Sequence, residues 1–184
     1  MSFNLSAALD EHRQALECVA GLEAALGDAV KLIRHALDNK QRVFVCGNGG
    51  SAADAQHFAA ELTGRFEKDR PGLPAISLTT DTSAITSIGN DFGFDAIFSR
   101  QLGALAQPGD VLLAISTSGN SPNVLRAVEY ARLHGIRTIG LFGRDGGKML
   151  ALVDVALNIP VLRTARIQEM HIFILHMLCE ALEA

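Results

Sequence analysis

Two glycine- and serine-rich segments each follow an apolar, strand-like run and precede a helical pattern. The first spans residues 46–51 (CGNGGS) after the apolar run VFV, and the second spans residues 116–121 (STSGNS) after VLLAI. Glycine lets the backbone approach a ligand closely, and a helix N-terminus presents free N–H groups and a positive dipole to an anion. The two segments therefore predict strand-end loops that bind a small phosphorylated, hydroxyl-rich molecule.

Neither loop matches the common nucleotide-binding motifs. The first loop lacks the third glycine of the dinucleotide-binding pattern Gly-x-Gly-x-x-Gly, and no lysine lies near either loop, as a P-loop requires. A single glycine-rich turn often has only a structural role. Two such turns at equivalent strand ends favour a binding role.

The order of apolar and amphipathic segments indicates the fold class. Strands are predicted at residues 42–46, 75–79, 111–115, 138–142 and 153–157. Helices are predicted at residues 51–63, 83–88, 94–105, 122–134 and 164–182. Strands that are apolar on both faces are typical of parallel sheets covered on two sides. The alternation predicts an α/β, doubly wound three-layer sandwich, in which ligands bind beyond the carboxyl ends of the strands.

The N-terminal part of the chain has a helical pattern before the first strand. Apolar residues recur at spacings of three and four between residues 5 and 39, and either Gly21 or Gly27 could divide the helix. We expect one domain over residues 1–184, with residues 1–40 forming a helical arm. Because an arm must bury its apolar face, we expect it to contact another subunit.

Composition narrows the class of partners and the compartment. The formal net charge is −4 and no basic block stands out, so nucleic-acid and anionic-membrane binding are not expected. No apolar run is long enough to span a bilayer and no signal-peptide pattern is present, which predicts a cytoplasmic protein. Three widely separated cysteines, Cys18, Cys46 and Cys179, are expected to be small buried hydrophobes rather than disulfide or metal ligands.

Histidine and acidic side chains on two predicted helices could hold a metal. His57 and Glu61 are four residues apart and share a helix face, although such a pair is more often a surface ion pair. On the terminal helix, Glu169 aligns with His176 better than Gln168 does, so helical periodicity alone favours Glu169. These side chains nevertheless include a credible set of nitrogen and oxygen ligands for a divalent metal.

Four stretches resemble the phosphoheptose isomerases of the sugar isomerase (SIS) domain superfamily. They are CGNGGSAADAQHFAAELTGRF at 46–66, LTTDTSAITSIGNDFGFDAIFSRQ at 78–101, GDVLLAISTSGNSPNV at 109–124 and ARIQEMHIFILH at 165–176. The resemblance implies a five-stranded parallel sheet of flavodoxin-like order and a homotetramer with active sites between subunits. It also implies conversion of sedoheptulose 7-phosphate to D-glycero-D-manno-heptose 7-phosphate, the first step toward nucleotide-activated heptose for lipopolysaccharide core or other surface glycans.

The resemblance assigns roles to individual residues. It implies one zinc ion per subunit, with His57, Glu61, Gln168 and His176 as ligands, and so selects Gln168 over Glu169. Glu61 and His176 also match the acid–base pair of the family. The substrate contacts that it implies are Asn48, Gly49, Gly50, Glu61, Asn90, Asp91, Ser116, Thr117, Ser118, Ser121 and Gln168. Arg65 lies one turn beyond Glu61 and is expected to reach the same pocket.

A non-catalytic relative is the alternative interpretation. Some SIS-domain proteins bind sugar phosphates as regulators, and one closely similar kind associates with the bacterial replication initiator. That kind retains the glycine- and serine-rich loops but lacks the acid–base pair. Because Glu61 and His176 are both present here, an enzyme is expected.

Overall fold

A computed structural model describes residues 4–184, so the first three residues of the predicted arm and of the predicted single domain lie outside the described part. The helices are α1 (Leu5–Ala20), α2 (Glu23–Asp38), α3 (Gly50–Thr63), α4 (Thr82–Phe92), α5 (Ile97–Leu105), α6 (Pro122–Leu133) and α7 (Thr164–Glu183). The strands are β1 (Val43–Cys46), β2 (Ala75–Ser77), β3 (Val111–Ser116), β4 (Arg137–Gly143) and β5 (Val155–Ile159).

The strands form one parallel sheet in the order β2-β1-β3-β4-β5. The chain leaves β1 toward one edge of the sheet and returns to β3 before continuing to the other edge. The neighbouring strands β1 and β3 therefore form the switch point, where the carboxyl ends of parallel strands commonly face a ligand. Both glycine- and serine-rich loops begin there. The predicted fold class and five-stranded parallel sheet are confirmed.

Side chains on the two faces of the sheet pack into separate cores, because successive residues of a strand point to opposite faces. Val43 and Val45 of β1 contribute to the core under α1, α2, α3 and α7. Phe44 and Cys46 contribute to the opposite core, which α5 and α6 cover. Burial on both faces explains why β1 is apolar at every position.

Several predicted boundaries shift for identifiable local reasons. The arm divides at Gly21, whereas Gly27 lies within α2. The last strand begins at Val155 rather than at residue 153, because the Asp154 carboxylate accepts hydrogen bonds from the N–H and hydroxyl of Thr138 at 2.7 and 2.9 Å. This bonding holds residue 154 in a turn before the strand.

The fourth helix is longer than the sequence predicts. It extends over Thr82–Phe92 instead of residues 83–88. It begins at Thr82 because the side chain of Asp81 accepts a hydrogen bond from the N–H of Ala84 and caps the first turn. The helix ends before Gly93, whose φ of +84° favours glycine. Residues 90 and 91 consequently lie on a helix rather than in a loop.

Two of the three cysteines are buried, as the sequence predicts. Cys46 and Cys179 are buried, and burial raises the pKa of each thiol to about 12, whereas Cys18 is only partly buried. All three are free thiols.

Among residues 4–184, no helix combines the length and apolar character needed to cross a membrane.

The close contact between Gly140 and Phe142 in β4 gives a stability prediction. A Cβ atom at residue 140 would lie 2.0 Å from Cζ of Phe142, so Gly140→Ala should destabilise the fold by about 1–3 kcal/mol through overpacking. In the control Gly89→Ala, the new methyl would meet only a side-chain methyl of Ile97 at 3.9 Å. The control should be neutral or stabilising by up to about 1 kcal/mol, because alanine favours helix. Urea unfolding measures both, and an unchanged midpoint for Gly140→Ala would contradict the packing argument.

Candidate active site

A reciprocal pair of amide hydrogen bonds joins the two strand-end loops. The side chains of Asn48, in the first loop, and Asn123, at the start of α6, donate to each other at 2.8 Å in both directions. Asn123 is 1% exposed and also accepts a hydrogen bond from the N–H of Val124. The pair fixes the spacing of the loops. Asn123 was not predicted from the sequence, because nothing local marks a partner 75 residues away.

The first turns of α3 and α6 are suited to bind an anion. In the described part of the chain, neither N-cap residue, Gly49 of α3 or Ser121 of α6, makes a side-chain capping hydrogen bond, and the positive ends of both helices lie at the loops. The hydroxyls of Ser116 and Ser121 lie 3.0 Å apart at the mouth of the second loop. Thr117 and Ser118 are partly exposed beside them. The predicted loop residues are therefore brought together around two helix N-termini.

The second loop is held by the segment that follows β4. The N–H of Met149 donates to the carbonyl of Gly119 at 3.1 Å, and the N–H of Lys148 donates to the Asn120 side chain at 3.1 Å. Gly119 has a φ of +61°, and a Cβ atom there would lie 1.8 Å from the carbonyl oxygen of Gly146. Only glycine permits this approach, which keeps the loop in one conformation.

Histidines from two helices meet beyond the first loop. Nε2 of His57, on α3, lies 3.0 Å from Nε2 of His176, on α7. The same His57 nitrogen lies 3.3 Å from Oε1 of Glu61. The His57 side chain is 44% exposed and that of Glu61 is 24% exposed, so solvent or a ligand can reach both. The Phe66 ring also packs on His176, with 5.5 Å between ring centroids.

The spacing of these donor atoms can be compared with a zinc site. Ligand atoms about 2.0–2.1 Å from a tetrahedral zinc ion lie about 3.3 Å apart, close to both distances from His57. Nowhere in residues 4–184 do three or more His, Cys, Asp or Glu side chains already form a group that could hold a metal ion. Instead, the His57 side chain lies close to both Glu61 and His176. The donor types and the two spacings fit zinc.

The structure separates the roles of Gln168 and Glu169. The amide of Gln168 lies against Gly50 at the start of α3, where an added Cβ would be 2.2 Å from its Nε2 atom. Both carboxylate oxygens of Glu169 have partners, because one lies 2.7 Å from Nδ1 of His12 and the other accepts a hydrogen bond from Arg166. Glu169 therefore links α7 to α1, and Gln168 stays the predicted metal ligand.

Three other predicted residues lie apart from this group. Asn90 and Asp91 are exposed on α4, and the Asn90 amide donates to the Asp91 carboxylate at 2.8 Å. Arg65 is exposed and donates to the carbonyl of Glu67 at 3.2 Å. In the described part of the chain, no hydrogen bond or ion pair joins these side chains to His57, Glu61 or His176.

Burial perturbs two ionisable groups near the site. It raises the pKa of Asp54 on α3 to about 6, although the nearby charge of His57 partly opposes this. Burial also lowers the pKa of His171 to about 4, against the effect of its hydrogen bond to the carbonyl of Phe142 at 3.0 Å. His171 is consequently neutral at physiological pH and belongs to the core, whereas His176 remains accessible.

Comparisons with known proteins agree with this architecture. A family model described as SIS domain matches residues 9–143. A phosphoheptose isomerase of Helicobacter pylori is 54% identical over 94% of this chain and 90% of its own length. The structure of a phosphoheptose isomerase from Neisseria gonorrhoeae has a TM-score of 0.90 at 49% identity, covering 97% of this chain and 95% of that one.

A second solved structure gives the same result. A phosphoheptose isomerase from Francisella tularensis has a TM-score of 0.93 at 41% identity, with the same coverage of both chains. The identities are high enough to show the family, and the matched regions include both strand-end loops, α3 and α7. The chain therefore belongs to the phosphoheptose isomerase family of SIS-domain proteins.

Proposed function

We propose that the protein is an aldose–ketose isomerase that converts D-sedoheptulose 7-phosphate to D-glycero-D-manno-heptose 7-phosphate. Membership of the family supports this substrate. The observation that carries the proposal is the meeting of His57, Glu61 and His176 on helices next to the strand-end loops. The reaction would supply heptose for nucleotide activation and surface glycans, and we propose that it takes place in the cytoplasm.

The residues can be assigned to the proton transfers that isomerisation requires. A base takes a proton from the carbon next to the ketone, which gives an enediol, and then delivers it to the neighbouring carbon. Glu61 is proposed as this base. His176 is proposed to exchange protons with the substrate oxygens, because its imidazole is accessible and lies within hydrogen-bond distance of His57. The reaction needs no net change in oxidation state.

The strand-end loops are proposed to hold the sugar phosphate. The loop at Ser116, Thr117, Ser118 and Ser121 would bind the phosphate through hydroxyls and the N-terminus of α6. Asn48, Gly49 and Gly50 would contact the sugar through the first loop. Because the Asn48 amide is bonded to Asn123, this contact would use the backbone of residue 48.

We also propose one zinc ion per subunit. His57, Glu61, Gln168 and His176 would hold it, and a zinc ion at this place supplies charge that stabilises a developing oxyanion on the substrate. The donor spacings around His57 support the proposal, and the Gln168 amide lies at the start of the helix that carries His57. Asn90, Asp91 and Arg65 stay predicted substrate contacts.

A homotetramer is proposed from the apolar surface of the arm. Side chains of α1, α2 and α7 line an open apolar groove that includes Leu16, Val30, Phe173 and Met177. The large side chains Leu16, Phe173 and Met177 are exposed in the single chain. Burying them against another subunit would be favourable. The exposed position of Asn90 and Asp91 also supports a site that is completed by a neighbouring subunit.

Removal of the acid–base pair should abolish most turnover. Glu61→Gln and His176→Gln should each lower the rate by about a hundred- to ten-thousand-fold, the usual effect of losing a positioned acid or base. Chromatographic or NMR detection of the aldose product from sedoheptulose 7-phosphate measures this rate. The same replacements at exposed positions in and just after α6, Glu129→Gln and His134→Gln, serve as controls and should retain it. Near-normal turnover in either site variant would reject that residue's role.

The close contact of Gly50 with Gln168 gives a test of the zinc proposal. In Gly50→Ala, the new methyl should displace the Gln168 amide, so the zinc content and the turnover per chain should both fall. The control Gly21→Ala places a methyl at an ordinary 3.5 Å from the carbonyl of Cys18, far from the site. Elemental analysis and the product assay measure both variants. Full zinc content with normal turnover in Gly50→Ala would argue against Gln168 as a ligand.

A charge in the apolar groove should break the assembly. The wild type should have a mass in solution of about four times the 19.6 kDa of one chain. Phe173→Glu should lower this mass, because burial of an unpaired charge at a subunit contact is costly. Leu133→Glu is the control, since Leu133 is highly exposed and lies outside the groove. Light scattering measures the mass, and an unchanged tetramer in Phe173→Glu would contradict the assignment of the groove.

A further inference from the structure

The carboxylate of Glu183, in the last turn of α7, organises the loop of residues 65–70 that follows α3. Its Oε1 atom accepts a hydrogen bond from the N–H of Phe66 at 2.9 Å. Its Oε2 atom accepts hydrogen bonds from the N–H groups of Glu67 and Lys68 at 2.9 and 2.8 Å. The side chain is only 2% exposed. One carboxylate thus orders three successive backbone N–H groups of the 65–70 loop.

The bonds to the loop keep this carboxylate charged. The N–H of Lys68, together with those of Glu67 and Phe66 and the charge of Arg70, lowers the pKa of Glu183 to about 2, against the opposing effect of burial. The carboxylate is therefore ionised at the pH of any activity assay. An amide in its place would have only one acceptor oxygen for the three N–H groups.

The same carboxylate is linked through Arg70 to the backbone of Glu61, the proposed base. Nε of Arg70 lies 3.0 Å from Oε1 of Glu183, and this ion pair is largely buried. The guanidinium donates to the carbonyl of Glu61 at 2.9 Å and to the carbonyl of Leu62 at 2.9 Å. It therefore bonds the last turn of α3, where Glu61 lies, to the last turn of α7.

The loop also contacts the proposed acid. Phe66, whose N–H is bonded to Glu183, packs its ring at a tilt against the imidazole of His176. His176 and Glu183 are seven residues apart on α7 and share a helix face. Glu183 therefore lies two turns beyond His176 and supports its ring through Phe66.

We propose that Glu183 is a positioning residue for the acid–base pair. Its carboxylate holds the 65–70 loop so that Phe66 contacts His176 and Arg70 bonds to the backbone of Glu61. The inference rests on the proposed isomerase activity. Glu183 touches neither strand-end loop, so it should affect proton transfer and leave binding of the sugar phosphate unchanged. A displacement of a reacting group by about 1 Å can cost about a hundredfold in rate.

The test uses Glu183→Gln in the full-length protein with sedoheptulose 7-phosphate. We expect kcat per zinc-loaded chain to fall about ten- to a hundredfold while KM changes less than about twofold. With substrate deuterated at C1, the isotope effect on kcat should rise above that of the wild type, because proton transfer becomes more rate-limiting. A purely structural role would lower the amount of folded enzyme without raising the isotope effect.

A matched control and a second variant make the result decisive. Glu180→Gln, at an exposed position one turn earlier on α7, should leave kcat, KM and the isotope effect unchanged. Phe66→Leu removes the ring contact with His176 but keeps the carboxylate bonds, and it should reproduce the lower kcat and higher isotope effect. If Glu183→Gln does not fold, Phe66→Leu decides the question alone.

The outcomes separate this inference from the proposed function. An inactive wild type would overturn the isomerase proposal and this inference with it. An active wild type, together with Glu183→Gln or Phe66→Leu variants of unchanged kcat and isotope effect, would overturn only the positioning role. A rise in KM with kcat unchanged would also overturn it, because the effect would then lie in substrate binding.

Discussion

The close packing of α3 against α7 is the contact on which the candidate site depends. The buried face of α3 carries Ala55, Phe58, Ala59 and Leu62, which pack in the same core as the buried residues of α7. This packing brings Nε2 of His57 to 3.0 Å from Nε2 of His176. Donor atoms on separate helices need a fixed helix separation, since a shift of about 1 Å would separate them beyond the range of shared ligation. The packed core thus fixes the relative positions of the donor atoms on α3 and α7.

The parallel sheet adds a second constraint, which concerns the substrate. Adjacent strands β1 and β3 deliver both strand-end loops to the same edge, and the Asn48–Asn123 pair fixes their spacing. Helices α3 and α6 begin at these loops, so two positive helix ends point toward one place. A phosphate bound there would leave the carbon chain free to extend along α3 toward Glu61. Binding and proton transfer would then use different parts of the fold.

Local patterns predicted much of this architecture, and contacts between distant residues account for the rest. Continuous apolar runs predicted the parallel strands, and the glycine- and serine-rich motifs predicted where a ligand would face the sheet. Helical periodicity favoured Glu169 over Gln168, but it cannot show which neighbouring element each side chain meets. Glu169 pairs with His12 of the arm, a contact across 157 residues. The same limit applies to the bonds that Glu183 makes with the loop after α3, whose partners are more than a hundred residues away in the chain.

The bonding of Glu183 bears on how the molecule opens. Terminal helical turns normally fray, and amide hydrogens there exchange with solvent at low free-energy cost. In this protein, fraying of the last turn of α7 would also free three N–H groups of the neighbouring loop and the arginine attached to α3. The helix end and the loop should therefore open as one cooperative unit, with matching exchange protection in two segments that are remote in sequence.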